Sequence, residues 1–147
     1  MRFTLLILFV AGFLVPLTAY AFDLPKDQVE LIAKKAHEIL PGSKISDGSI
    51  IGDERAKNLK YPLIPYDDIQ RTVIRGYISG FAAVCKLDWG ERSFMPYMQG
   101  IRKAHRDWTD YQFAYVGTLH GLSMGNAEGS ISEDKCTDDF KANLENN

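Results

Sequence analysis

The chain predicts a mostly α-helical domain, a bundle of four or five helices with one long irregular connection and one disulfide. Three observations carry that expectation. Apolar residues recur at helical spacing in several separate segments, as in Val29, Ile32, Ala33, Ala36, Ile39 and Leu40. Helix-start patterns precede two of those segments, Asp88-Trp89-Gly90-Glu91 and Thr109-Asp110-Tyr111-Gln112. No run of useful length alternates apolar and polar residues as a half-buried strand does, and only Ser49-Ile50-Ile51 suggests a brief extended pair.

The first 21 residues stand apart from this domain. Arg2 gives a cationic start, Leu5 to Leu14 is nearly all apolar, and Ala19-Tyr20-Ala21 supplies small residues at the −3 and −1 positions of a cleavage site. This pattern predicts a signal peptide cut between Ala21 and Phe22, and export to a periplasm or beyond. The apolar run is shorter than the roughly 20 residues needed to span a bilayer, so no membrane attachment is expected after cleavage. Residues 22–147 then form a single domain with a net charge near −3, one cation fewer than the −2 of the full chain. With no strongly basic face to neutralise phosphates, nucleic acid is not an expected partner.

The first helix is predicted from Pro25 to about Leu40, because proline suits a first turn and Pro41-Gly42 stops the run. Residues 41–66 read as the long connection, punctuated by Gly42, Gly48, Gly52, Pro62 and Pro65, with a short helix possible over Asp53 to Leu59. Its apolar end, Tyr61 to Tyr66, is held by two prolines and is expected to lie extended against the core. A second helix is expected from Asp67 or Asp68, either able to cap it, to about Cys85. Ile69, Val73, Tyr77 and Phe81 form its inner face, ending on Val84 or Cys85. Gly76 and Gly80 sit one turn apart beside that face. Each costs about 1 kcal/mol relative to alanine in a helix, so a neighbouring helix or ring is expected to approach bare backbone there.

The third helix starts at the Asp88 box and runs to about Ala104, with Phe94, Met95, Met98 and Ile101 inward and Pro96 either early or at a kink. The fourth starts at Thr109, where Trp108 and Phe113 flank the box as a hydrophobic staple, and ends near Gly125. A last helix from Ser130 or Ser132 carries Cys136 and Phe140 onto the body. Cys85 and Cys136 are the only cysteines of the domain. They lack C-x-x-C spacing and a nearby histidine, so in an oxidising compartment they are expected to pair. Closing a loop of about fifty residues is worth roughly 4 kcal/mol in the chain-entropy model.

Candidate chemistry is sparse. His120 is followed by Gly121 in the fourth helix, and an imidazole is the side chain best suited to acid–base work near neutral pH. Ser123 lies three residues on, without the strand–turn–helix elbow that exposes a catalytic serine. A buried histidine held by a tyrosine or a carbonyl is the competing reading. His105 and Asp107 have no recognised metal-ligand spacing, and no phosphate loop occurs. No cofactor and no metal are therefore expected. Aromatic content points elsewhere. Eight tyrosines and tryptophans fall between Tyr61 and Tyr115, and these residue types are enriched at interfaces. Tyr61, Ile64, Tyr66 and Trp89 are the candidate contact residues, with a lid over the helical core as the competing role for Tyr61 to Tyr66.

The stretch Arg75-Gly76-Tyr77-Ile78-Ser79-Gly80-Phe81-Ala82-Ala83-Val84-Cys85, followed by two helices, resembles small periplasmic amidase-immunity proteins of type VI secretion systems. Those proteins are exported, mostly helical and disulfide-containing, and often carry G-Y-x-x-G ahead of a cysteine. The likeness covers about fifty residues. The chain differs in lacking a further cysteine ahead of Gly76 and in its long 41–66 connection. The resemblance implies a non-enzymatic domain that binds another exported protein, with immunity to a cell-wall hydrolase as the specific version. The alternatives are a small periplasmic hydrolase using His120 and a periplasmic chaperone, the latter because the architecture is similar to shorter, acid-activated helical chaperones with one disulfide.

Overall fold

The computed structural model describes residues 24–45, 47–52, 54 and 58–146. The expected signal peptide and residues 53 and 55–57 of the expected short helix lie outside the described residues. Five α-helices make up the described domain: α1 (Lys26–Glu38), α2 (Tyr66–Val84), α3 (Met95–Ala104), α4 (Asp110–Glu128) and α5 (Asp138–Glu145). A π-turn, Gly90–Phe94, leads directly into α3, and a 3-10 turn, Glu133–Lys135, precedes α5. Among the described residues the only β pairing is one bridge between Lys44 and Ile50. The mostly α class and the single Cys85–Cys136 disulfide are as the sequence predicts.

Helices α2 and α4 form the central seam. A Cβ built on Gly76 would lie 2.5 Å from Ser123 Cβ and 2.6 Å from the His120 carbonyl, and one on Gly80 would lie 2.7 Å from Ala127 Cβ. Real carbon atoms do not approach this closely, so both glycines are kept for backbone contact. The paired positions advance together along both helices, which therefore run parallel. Helix α3 returns between them in chain order. Its contacts with α2 run in reverse, from Ser93 against Ser79 to His105 against Asp68.

The main core gathers Val29, Ile32 and Ala36 of α1, Ile69 and Val73 of α2, and Tyr115, Val116 and Leu119 of α4. Tyr115 is fully buried and its hydroxyl donates to the Ala33 carbonyl at 2.9 Å, so burial raises its pKa without leaving the proton unpaired. A second, smaller cluster joins Ile78, Leu144 and Phe140 around the disulfide. It is what fastens α5 to the body.

Several boundaries differ from the sequence expectation for local reasons. Ile39 is the residue that ends α1 and is exposed, so the stripe closes on Leu40 instead. Helix α2 starts one residue early at Tyr66 with Pro65 as its cap, and neither Asp67 nor Asp68 caps it. Asp88 does accept from the Glu91 amide at 3.1 Å, but the turn that follows is π-helical, with the Met95 amide donating back to the Gly90 carbonyl. Pro96 has no amide proton and its ring crowds the carbonyl four residues back. The wider turn ahead of it relieves that crowding. The extra residue rotates Met95 outward, leaving it exposed, while Ile101 remains buried. Helix α4 runs three residues past Gly125 to Glu128. Cys136 lies between the 3-10 turn and α5, outside any helix, and Thr137 caps α5 by accepting from the Phe140 amide.

Candidate functional site

Two polar constellations flank α2, one inside and one outside. The inner one is centred on His120. Its Nε2 lies 3.0 Å from the Ser79 hydroxyl, which in turn lies 2.9 Å from the Ser93 hydroxyl. These three residues come from α4, α2 and the π-turn, so one hydrogen-bonded chain staples three elements. Phe94 and Trp89 cover the ring, with centroids 4.6 and 6.5 Å from it. His120 is 2 % exposed. Burial, reinforced by the nearby Arg75 charge, lowers its pKa from the ordinary 6.5 to about 4. The imidazole is therefore neutral at pH 7. Among the described residues no buried side-chain nitrogen or oxygen lacks a hydrogen-bond partner.

The outer constellation begins with Asp68, whose carboxylate is buried although its helix position faces the rim. Arg71 Nη2 meets Asp68 Oδ1 at 2.5 Å and His105 Nε2 meets the same oxygen at 3.3 Å. His105 is pinned a second time by Trp108, whose ring stacks on it at 3.8 Å. One turn along α2, Thr72 donates to the Asp68 carbonyl at 2.6 Å. A threonine hydroxyl has one proton, so the Tyr97 hydroxyl 2.6 Å away donates to Thr72. Burial raises the Tyr97 pKa, the Asp68 carboxylate adds to that, and the charges of Arg71 and Arg75 act in the opposite direction.

These anchors wall an open cleft of about 470 Å³ between α2 and α3. Arg71 and Arg75 stand on its α2 side, Arg92 at the π-turn, and Tyr97, Ile101 and His105 on its α3 side. Arg75 sits over the Tyr97 ring, 6.0 Å from its centre. Arg92 pairs with Glu145 of α5. The arginine side chains of both ion pairs remain about two-thirds exposed, at 64 %. A second pocket, of about 320 Å³, continues past Arg75 and Arg92 to Leu87, Trp89 and Leu144.

The four contact candidates from the sequence are not one patch. Ile64 is 3 % exposed and belongs to the core. Tyr61 is 38 % exposed, with its ring edge against His37. Tyr66 is half-buried beneath the Lys26 ammonium, 5.3 Å from its ring centre. Trp89 is half-buried over His120 and also lines the second pocket. The connection is fastened to α4 by Gln112, which donates to the Leu63 carbonyl and accepts from the Thr109 amide. The arginine cleft is the feature that the sequence reading passed over. The four-residue spacing of Arg71 and Arg75 was visible in it, but the convergence of Arg92 required the fold.

Among the described residues no group of three or more His, Cys, Asp or Glu side chains is arranged to hold a metal ion. None of their helices is long and apolar enough to cross a membrane. Set against protein families, curated proteins and solved structures, the chain has no match in any of the three.

Proposed function

We propose that the chain acts as an exported domain that binds another exported protein without chemistry of its own, and that its partner is a cell-wall hydrolase which it holds inactive. One observation carries the reading. Arginine, tyrosine and tryptophan, the residue types enriched where binding energy concentrates, are gathered around a single open cleft and its continuation, on anchors fixed by hydrogen bonds and ring stacking. The inner constellation supports the absence of catalysis. General acid–base work needs the reacting atom within hydrogen-bond reach of the imidazole, and His120 is enclosed by Ser79, Phe94 and Trp89. The resemblance to amidase-immunity proteins supports the choice of hydrolase.

The test uses the mature domain and any exported hydrolase encoded beside its gene. Calorimetric titration should give a one-to-one complex, and digestion of purified peptidoglycan should stop when the domain is added. Turnover of peptidoglycan by the domain alone, lost in a folded His120→Gln variant, would replace this reading with the hydrolase one.

A further inference from the structure

We infer that the arginine cleft is a carboxylate-recognition site, and that its ligand is an acidic peptide segment of the partner. Only the source of the carboxylates rests on the reading of the chain as a binding domain.

Three features of the cleft point to an anion. Arg71 and Arg75 lie four residues apart on one helix, a spacing at which like charges repel. The fold then brings Arg92 to the same cavity from a different element. Next, the cleft is built rather than floppy. The buried Asp68 carboxylate holds Arg71 and His105 from below, and the Tyr97–Thr72 bond fixes the floor. Finally, the site already engages a carboxylate. Glu145 of α5 reaches Arg92 from the neighbouring pocket, so the chain itself displays the contact proposed for the ligand.

The ligand's class follows from shape. Small-molecule sites bury about 70–90 % of their ligand, whereas Arg71 and Arg92 stand 64 % exposed along an open groove. A chain lying in that groove keeps one side in solvent. The cleft and the second pocket share Arg75 and Arg92, so the charged wall has the length for several residues rather than for one anion. Guanidinium forks match carboxylates in bidentate fashion, and the Tyr97 ring and Ile101 offer an apolar floor for the side-chain methylenes.

Tetraglutamate, tetraglutamine and inorganic phosphate are the probes, followed by heteronuclear NMR on the whole mature domain. Tetraglutamate should shift the Arg75, Arg92 and Tyr97 resonances saturably, and the affinity should drop at least about tenfold between roughly 50 and 300 mM salt. Arg92→Gln and Arg75→Gln should each weaken it at least about fivefold. Arg92→Gln keeps the test open should Arg75→Gln disturb the fold. Glu145→Gln, which removes the internal carboxylate, should tighten it by about twofold or more. Lys34→Gln on exposed α1 surface should leave it unchanged. Equal binding of tetraglutamine, shifts that survive both arginine variants, or phosphate binding as tightly as tetraglutamate would each overturn the assignment. Tetraglutamate needs no partner, so its failure leaves the partner reading standing, and the lack of a hydrolase complex leaves the anion site standing.

Discussion

Helix α2 has two sides that differ in almost every physical respect. The side facing α4 is bare backbone and small polar groups, with Gly76, Ser79 and Gly80 all buried. The side facing the cleft carries Arg71, which is largely exposed, and the half-buried Arg75. Residues one or two apart in sequence serve opposite ends. The seam gains close packing and one satisfied polar chain, so its histidine is locked in. The rim gives up burial and leaves the paired Arg71 and Arg92 side chains largely exposed. The ionisable groups on the two sides accordingly have different surroundings. His120 is held neutral by desolvation, while the Asp68 carboxylate is buried against Arg71 and His105.

The largest way to break this contrast is to cut the disulfide. Cys85 closes α2 and Cys136 precedes α5, 51 residues apart in sequence. Cys85→Ser with Cys136→Ser should cost about 4 kcal/mol on the chain-entropy estimate, read from urea unfolding. The residual structure should keep the α2–α4 seam protected from hydrogen exchange while α5, and with it Glu145, exchanges freely. Next comes the seam itself. Gly76→Ala places a methyl group against Ser123 Cβ and the His120 carbonyl. The backbone carbonyl cannot swing aside, so the helices must separate, at about 3 kcal/mol. A Gly117→Ala control on α4, where an added Cβ meets nothing within 4 Å, should be neutral or slightly stabilising.

Protonation gives a gentler handle on the same seam. His120 titrates near 4 in the fold against an ordinary 6.5. Between those values the unfolded chain takes up a proton that the folded one refuses. Stability is therefore full above pH 6.5 and falls as the pH drops toward 4, by about 3 kcal/mol in all on this group's account. In His120→Gln that pH-dependent loss should disappear, whatever the variant's absolute stability. The smallest stability effects belong to the rim. Arg92→Gln should change unfolding by no more than about 0.5 kcal/mol, as for surface substitutions generally. A loss of several kcal/mol there would mean that the arginine is structural and would erase the contrast.

How much of this was legible in the sequence follows the range of the interactions involved. The Thr109 start of α4, its Trp108–Phe113 staple and the glycine pair of α2 are read within four or five residues, and each appears in the structure. The disulfide needed only a count of cysteines and a compartment. Asp68 was misread as a cap because the helix already starts at Tyr66 behind Pro65, and its carboxylate turns instead to Arg71 and to His105, 37 residues downstream in sequence. Met95 was misplaced because the helical spacing assumed for it fails across a π-turn. His120 carried both a structural and a catalytic reading in the sequence, and its serine partners, Ser79 and Ser93, arrive from other elements. The cleft was the least legible feature. Its lining converges from α2, the π-turn and α3, so no local spacing announces it.

The account stands most directly on whether binding belongs to the outer side of α2 and not to the inner one. Tetraglutamate titrations of wild type, Arg92→Gln and folded His120→Gln, run side by side at low salt, decide it. The account predicts that Arg92→Gln weakens binding at least about fivefold while His120→Gln leaves it within about twofold. Binding that is lost in His120→Gln and unchanged in Arg92→Gln would contradict it.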